Sequence, residues 1–529
     1  MRHVRCGDLS VSVFGGWAEI GGNQILLEAE GEALLLDFGR SFNRWNRHFT
    51  EFLGPRSTLG LRDLLALGLL PRFRGLYRDA ADDTLFPSEL ERRFLDGAPD
   101  GAHIQALLLS HAHLDHSGSV AYLRADLPVV ASAATAAILK AMQDTSQIGL
   151  DAEAAYLSPR LPNDEGILKA DGKTSYLRRP YRLLLGRLDS FPLQSPAKTR
   201  TLDGHSWTPA TTPLSVGCFQ VEAFPVDHSV PGALAFYIET PAGPVVYTGD
   251  LRRHGRWGQH TESFLQRLEG QDVFLLIIEG TRLDSEGPAR TEAAVQAALH
   301  EAIRRHAGAP IAVDFAPRNL ERLQACLEVA RDLDRHLVIT PKDAYLLRAL
   351  AEADPSWQAT LQAARILQEP RARRPTWEAW LWEQSDIHPV SLEEIAQDPG
   401  AFLLAFGFYE INRLLDLRLL EQAMGRPRRQ GLYVFSNSYW ADEEQRLDLA
   451  VLMHWLRALD FRPLPEWLEN PPSNPANAEN PYHTSGHAPA DDLVEVARRL
   501  RPRHLLPVHT EAPERWRKLL GGTNTRVLV

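Results

Sequence analysis

Four side chains able to bind a metal crowd into His111-Ala112-His113-Leu114-Asp115-His116, directly after the apolar run Ala106 to Leu109. Imidazole nitrogen and carboxylate oxygen are the donors zinc takes when one coordination position must stay open for water. A strand leading into a turn this rich in His and Asp can hold two cations at once. The chemistry indicated is hydrolysis by metal-activated water rather than a closed structural site.

One short motif does not supply enough ligands for two metals, so the remaining donors must come from other strand ends. Three positions qualify: His228 after the apolar strand around Phe224, Asp250 in Thr248-Gly249-Asp250 after Val245-Val246-Tyr247, and His509 after Leu505-Leu506-Pro507-Val508. Taken singly, each is more often a structural residue than a ligand. Together they complete two metal sites.

The elements that must bring these residues together fall into two groups. Strands are expected at Ile25 to Glu30, Ala33 to Asp37, a run ending at Ser110, Val129 to Val130, Val221 to Pro225, Ala233 to Glu239, Val245 to Tyr247 and Phe274 to Ile278, with a helix from Ser119 and an Ala-rich one from Ala134 to Met142. From Thr291 to about Trp455 helix and strand alternate: Glu292 to His306, Ile311 to Phe315, Asn319 to Leu333, His336 to Ile339, Asp343 to Ala353, then Phe402 to Phe406 and Leu432 to Phe435. That alternation predicts a second, mostly parallel α/β domain. The Pro- and Asn-rich segment Glu469 to Pro481 reads as a linker back to the first. The domains expected are 1–288, an inserted 289–470, and 471–529 returning to the first. The stretches 41–102 and 145–213 read as insertions without a legible role.

The chain has 529 residues, 44% hydrophobic and 24% charged, enough for two or three domains with a sizeable core. Its three cysteines, Cys6, Cys218 and Cys326, have no C-x-x-C spacing, which excludes a thiolate zinc cluster and a disulfide framework and fits a reducing cytoplasm. No signal-peptide-like segment and no apolar run of membrane-spanning length is expected. A net charge of -11 argues against binding nucleic acid through a broad basic face. Two dications would reverse the field locally, and the arginines at 371 to 374 and 426 to 429, or Arg318 and Arg322, could line a groove between the two domains.

The ordered motifs resemble the metallo-β-lactamase superfamily and, within it, the β-CASP nucleases that include ribonuclease J. The resemblance is carried by Gly15-Gly16, Glu19-Ile20-Gly21-Gly22-Asn23, Leu36-Asp37, the HAHLDH stretch, His228, Thr248-Gly249-Asp250, Ile278-Glu279-Gly280-Thr281, His483-Thr484-Ser485-Gly486-His487-Ala488 and Pro507-Val508-His509-Thr510. It implies an α/β fold, an αββα metallo-β-lactamase sandwich with an inserted β-CASP domain. The chain stops 20 residues after His509, so the resemblance is to a ribonuclease J-like chain lacking the C-terminal domain.

Residue by residue, the resemblance implies one zinc on His111, His113 and His228 and another on Asp115, His116 and His509, with Asp250 bridging. Manganese is the alternative metal. Asp37 would orient a ligand histidine, and Glu279 would pair with His487 near the scissile phosphate. Asp115 would steer the water proton and His487 protonate the departing oxygen. His483, Ser485 and the Ala488 amide would hold a neighbouring phosphate. His at the last ligand position favours RNA over DNA. The expected activity is hydrolysis of single-stranded RNA by a two-metal mechanism, as an exonuclease, an endonuclease or both. A small-molecule esterase or thioesterase, a DNA-directed β-CASP nuclease and a non-catalytic RNA-binding subunit stay open. So does the assembly, with a homodimer one option. Glu279-Gly280-Thr281 departs from the family's acidic-Ser-Thr form.

Overall fold

The computed structural model describes residues 2–50, 52–146, 149–285, 287–440 and 442–529. Glu51, in the first expected insertion, and Gln147 and Ile148, in the second, lie outside the described residues. The chain forms two compact units, residues 1–253, 257–288 and 487–529 in one, residues 254–256 and 289–486 in the other. No helix among the described residues is long and apolar enough to cross a membrane.

The first unit is built on two sheets. One has eight strands in the order Arg2–Cys6, Leu9–Gly15, Gln24–Ala29, Glu32–Phe38, Ile104–Leu108, Val129–Ser132, Tyr181–Leu184 and Trp207–Pro209, antiparallel over the first four and parallel thereafter. The other runs Leu214–Val216, Phe219–Pro225, Leu234–Glu239, Val245–Tyr247, Leu275–Ile278, His504–Pro507 and Arg526–Val527, with the same change from antiparallel to parallel.

The apolar runs at the centre of the second sheet are continuous because both faces are covered. Val245, Tyr247, Leu275, Ile277 and Leu506 point into a core shared with Leu27, Leu34, Leu36 and Leu108 of the first sheet. Their neighbours Val246, Leu276, Ile278 and Leu505 point the other way, into a core closed by Phe264, Leu265 and Leu268 of the helix Gly258–Leu268 and by Leu493, Val496, Ala497 and Leu500 of the helix Ala490–Leu500. Spacing of three and four residues puts those last four on one helix face, while Asp491 and Asp492 in the first turn and Arg498 and Arg499 in the last suit the helix dipole. On the first sheet the helix Ala133–Thr145 packs beside Val129–Ser132 and Tyr181–Leu184. The layering is helix, sheet, sheet, helix.

Two expectations change here. Where a helix is expected from Ser119, a single 3-10 turn, Val120–Tyr122, is all that forms, because the chain must extend through Pro128 into the strand Val129–Ser132. The 145–213 segment is partly structural: its strands Tyr181–Leu184 and Trp207–Pro209 extend the eight-stranded sheet, and Trp207 Nε1 donates to Arg179 O at 3.1 Å.

The second unit holds a seven-stranded, wholly parallel sheet in the order Pro389–Val390, Arg365–Leu367, His336–Ile339, Phe402–Leu404, Ile311–Asp314, Gly431–Phe435 and Phe461–Leu464. The helices Ile411–Ala423 and Glu443–Leu459 cover one face through Leu414, Leu417, Leu449 and Leu456. This unit runs on to Gly486 instead of ending at 470. Polar contacts hold the segment there: Asn480 Nδ2 donates to Phe435 O at 3.0 Å, and Tyr482 O accepts from Ser436 Oγ at 2.5 Å and from Arg322 at 2.7 Å.

Candidate metal centre

Each metal donor that the sequence points to, and Glu279 with them, leaves the carboxyl end of a strand. HAHLDH follows Ile104–Leu108, His228 follows Phe219–Pro225, Asp250 follows Val245–Tyr247, Glu279 follows Leu275–Ile278 and His509 follows His504–Pro507. Parallel neighbours end at the same level, so their outgoing turns converge. Backbone conformation sharpens this: Asp37 and His509 have φ of 55° and 52°, the left-handed region that non-glycine residues avoid unless surroundings hold them there. Gly39 lets the HAHLDH turn seat closely, since a Cβ there would lie 1.7 Å from Asp115 O.

Asp250 stands at the middle. Its Oδ2 lies 3.1 Å from His116 Nε2, 3.7 Å from His111 Nε2 and His509 Nε2, and 3.8 Å from His228 Nε2 and His487 Nδ1. On one side His113 Nδ1 is 3.1 Å from both His111 Nε2 and His228 Nε2. On the other, Asp115 Oδ2 is 3.0 Å from His509 Nε2 and 3.8 Å from His116 Nε2. The donors thus gather as His111, His113 and His228, and as Asp115, His116, Asp250 and His509, each group with its ligand atoms within 4.8 Å of one another.

The fit to cations can be judged from the polar atoms. Asp250 is buried, yet neither carboxylate oxygen has a hydrogen-bond partner, and His116 Nε2 has none either. Buried groups left this way cost free energy unless something else satisfies them. A cation between Asp250 and the surrounding imidazoles would do so.

Outside the ligand atoms, a hydrogen-bonded frame fixes the rings. Asp37 Oδ2 is 2.6 Å from His116 Nδ1 and accepts from Ser110 Oγ at 2.7 Å and Tyr247 Oη at 2.5 Å, while its Oδ1 accepts from Ser110 N at 2.7 Å. Ser110 Oγ also reaches His111 Nδ1 at 3.0 Å. Thr281 Oγ1 lies 2.8 Å from His509 Nδ1. In each case one ring nitrogen is engaged by the frame and Nε2 is turned to the centre. Ser110, Tyr247 and Thr281 were not singled out from sequence. Tyr247 immediately precedes Thr-Gly-Asp, and Thr281 falls within the Glu-Gly-Thr motif, which are the signals that could have found them.

Charge follows burial and proximity. Burial and the neighbouring His116, His228 and His113 rings drive His111 toward its neutral, metal-binding form. Burial also opposes protonation of His116, but Asp250, Asp115 and Asp37 outweigh it and raise its pKa well above the ordinary value. Burial alone would protonate Asp115 and Asp250; the imidazoles hold both carboxyls well below the usual range. For His487, burial is outweighed by Glu279 and Asp250, and its pKa rises to about 9.

Glu279 Oε2 is 2.9 Å from His487 Nδ1, and Glu279 Oε1 accepts from Leu251 N at 2.9 Å. The expected phosphate-binding turn is divided. The Ala488 N–H, expected to face a phosphate, instead donates to Leu251 O at 2.8 Å, a bond that seats the start of the following helix. His483 and Ser485 belong to the second unit: His483 Nε2 is 3.0 Å from Ser438 Oγ, and Ser485 O is 2.9 Å from His254 Nε2.

The arginines expected along a groove are engaged locally. Arg322 is fully buried, 2.9 Å from Glu292 and bonded to Ser436 O and Tyr482 O, which corrects its reading as a phosphate contact. Arg371 and Arg374 both reach Glu378, at 3.3 and 3.5 Å, and Arg429 donates to Gly308 O.

The family model for the metallo-beta-lactamase superfamily matches residues 83–273, and that for the Zn-dependent metallo-hydrolase RNA specificity domain matches residues 476–515. Residues 83–273 thus carry a metallo-β-lactamase superfamily domain. The chain is similar to Ribonuclease J of Mycobacterium tuberculosis, 24% identical over 95% of this chain and 69% of that one. It is also similar to Ribonuclease J of Pyrococcus abyssi, 20% identical over 95% of this chain and 90% of the relative. A crystal structure of a protein of unknown function from Enterococcus faecalis shares the fold, with a TM-score of 0.63 and 20% identity over 98% of both chains. The superfamily domain joined to the RNA specificity domain makes this chain a metal-dependent hydrolase.

Proposed function

We propose that the chain is a two-metal ribonuclease that hydrolyses phosphodiester bonds of single-stranded RNA and leaves a 5′-phosphate on the downstream product, with zinc as the resident metal. The observation that carries this reading is Asp250 Oδ2 within 3.8 Å of nitrogens from five histidines, His111, His116, His228, His487 and His509. His111, His113 and His228 would hold one cation, Asp115, His116 and His509 the other, and Asp250 would reach both. When bound, two such cations supply a water of lowered pKa and positive charge against the phosphate oxygens.

This chain's own residues do the rest. Asp115, kept ionised by His116 and His509, steers the proton of the attacking water. Glu279 keeps His487 cationic and aimed, so that it can donate a proton to the leaving sugar oxygen. Asp37, Ser110, Tyr247 and Thr281 hold the ligand rings still. RNA as substrate is supported by the relatives' name and by the RNA specificity match. The second unit is taken as the inserted β-CASP domain, with His483 and Ser485 assigned to a substrate phosphate on the motif alone.

The test is incubation of metal-loaded protein with end-labelled single-stranded RNA, matched DNA and a generic phosphodiester, beside Asp115→Ala and His487→Ala. RNA cleavage lost in both variants is expected. Cleavage unaffected by either would refute the assignment, and turnover of small esters with RNA untouched would give the site to an esterase.

A further inference from the structure

The second unit contains a cavity of about 280 Å³ at the carboxyl end of its parallel sheet. It opens where the strand Ile311–Asp314 meets two neighbours, Phe402–Leu404 and Gly431–Phe435. From Asp314 the chain crosses through the helix Leu320–Asp332 to His336–Ile339 on one side, whereas from Phe402–Leu404 it crosses through Ile411–Ala423 to Gly431–Phe435 in the opposite direction. With right-handed crossovers these two helices fall on opposite faces, so the outgoing loops part. Such a parting leaves the crevice in which open α/β sheets bind ligands. The volume is near the lower end of the range for ligand cavities, roughly 300–1,000 Å³.

The lining fixes the ligand's chemistry. Phe315, Phe408, Phe435, Leu449 and Leu452 supply flat and aliphatic walls. Asp314, Glu410 and Asp448 supply carboxyl groups, and no Lys, Arg or His is among the lining residues described. Gly407 lets two of these groups approach: a Cβ there would lie 2.8 Å from Asp314 Oδ1 and 3.4 Å from Glu410 Oε2. Asp314 is held in place by Tyr433 Oη on Oδ2 at 2.6 Å and Asn437 Nδ2 on Oδ1 at 2.9 Å, although burial costs it enough to raise its pKa to about 6. Arg413 is 3.8 Å from Glu410 Oε1 but does not line the cavity.

We propose that this cavity binds a small organic cation with an aromatic or apolar body, of the amidinium or arylalkylammonium type. The flat walls take the body and the carboxyl groups take the charged nitrogen, a pairing that excludes phosphate-bearing ligands and hence the RNA backbone. The site is separate in residues and in ligand charge from the metal centre, and it does not depend on the nuclease reading.

Isothermal titration of the metal-loaded full chain with benzamidine and phenethylamine, against benzoate and uridine 5′-monophosphate, tests it. Saturable 1:1 binding of at least one cation is expected, with neither anion competing for it; an anion held by the metal centre leaves the cation isotherm unchanged. Ala316→Trp, at the exposed rim, should weaken that binding by about tenfold or more at unchanged melting temperature, and Asp314→Asn should weaken it to a similar extent. Absence of cation binding, displacement of the cation by benzoate, or full affinity in Ala316→Trp would each overturn the proposal. Should Asp314→Asn fail to fold, the rim variant and the anion contrast decide it.

Discussion

Thr281 Oγ1 and His509 Nδ1 lie 2.8 Å apart, on the opposite side of the imidazole from the 3.0 Å approach of His509 Nε2 to Asp115. In the tautomer protonated on Nδ1, the hydroxyl accepts a hydrogen bond from the Nδ1–H and the Nε2 lone pair is left for a cation. Thr281→Val keeps the shape and removes the acceptor. Metal affinity, measured by competition with a chromogenic chelator, should fall about 10- to 100-fold. Thermal stability of the metal-free protein should change little, and unchanged metal affinity would show that the hydroxyl does not set the tautomer.

Asp37 accepts from Ser110 N, Ser110 Oγ and Tyr247 Oη and faces His116 Nδ1, all without solvent contact. Asp37→Ala leaves those donors unpaired and should cost roughly 3 kcal/mol or more in denaturant unfolding. Tyr247→Phe, which removes one of them, should cost less. Equal stability of Asp37→Ala and the unaltered chain would contradict the reading of Asp37 as the anchor of the frame.

Proton donation by His487 predicts a pH profile. The acid form is present below its pKa and lost as pH rises through it, so cleavage should fall on the alkaline side. Glu279 is the largest influence raising that pKa, and Glu279→Gln should therefore move the alkaline limb to lower pH. His487→Ala should lower turnover by about 10²- to 10⁴-fold with metal content retained. An alkaline limb that stays in place in Glu279→Gln would separate His487 from the observed titration.

In the second unit, burial raises Asp314 to about 6 from an ordinary 3.8. The folded state then binds the proton more tightly than the unfolded one, so this group's contribution to stability falls as pH rises from 3.8 to about 6 and is level above that. Relative to Asp314→Asn, the unaltered chain should lose about 3 kcal/mol across that window. Denaturant unfolding at several pH values measures the difference. A difference independent of pH would mean that the carboxyl titrates normally.

The candidate donors gathered in the first unit were legible because each type of residue carries its chemistry wherever it sits, and because strand ends are marked by apolar runs. The alternation at 291–455 was legible for the same reason: a parallel sheet covered on both faces leaves whole runs apolar, as at Ile311 to Val313 and Leu337 to Ile339. Less was legible where partners are distant in sequence. Arg322 reads as a surface cation until Glu292 and Tyr482 are seen to enclose it, and Tyr181–Leu184 shows no clear periodicity because its neighbour Val129–Ser132, not its own pattern, makes it a strand. The Ala488 amide has no side-chain signal, so its bond to Leu251 O could come only from the fold.

Metal stoichiometry in Asp250→Ala tests the paired-cation reading most directly. Dialysed, zinc-loaded protein should carry about two metal ions per chain, and Asp250→Ala, lacking a carboxylate within reach of both donor groups, should carry fewer than one at the same free zinc. Retention of two ions by Asp250→Ala, or a single ion in the unaltered chain, would contradict it.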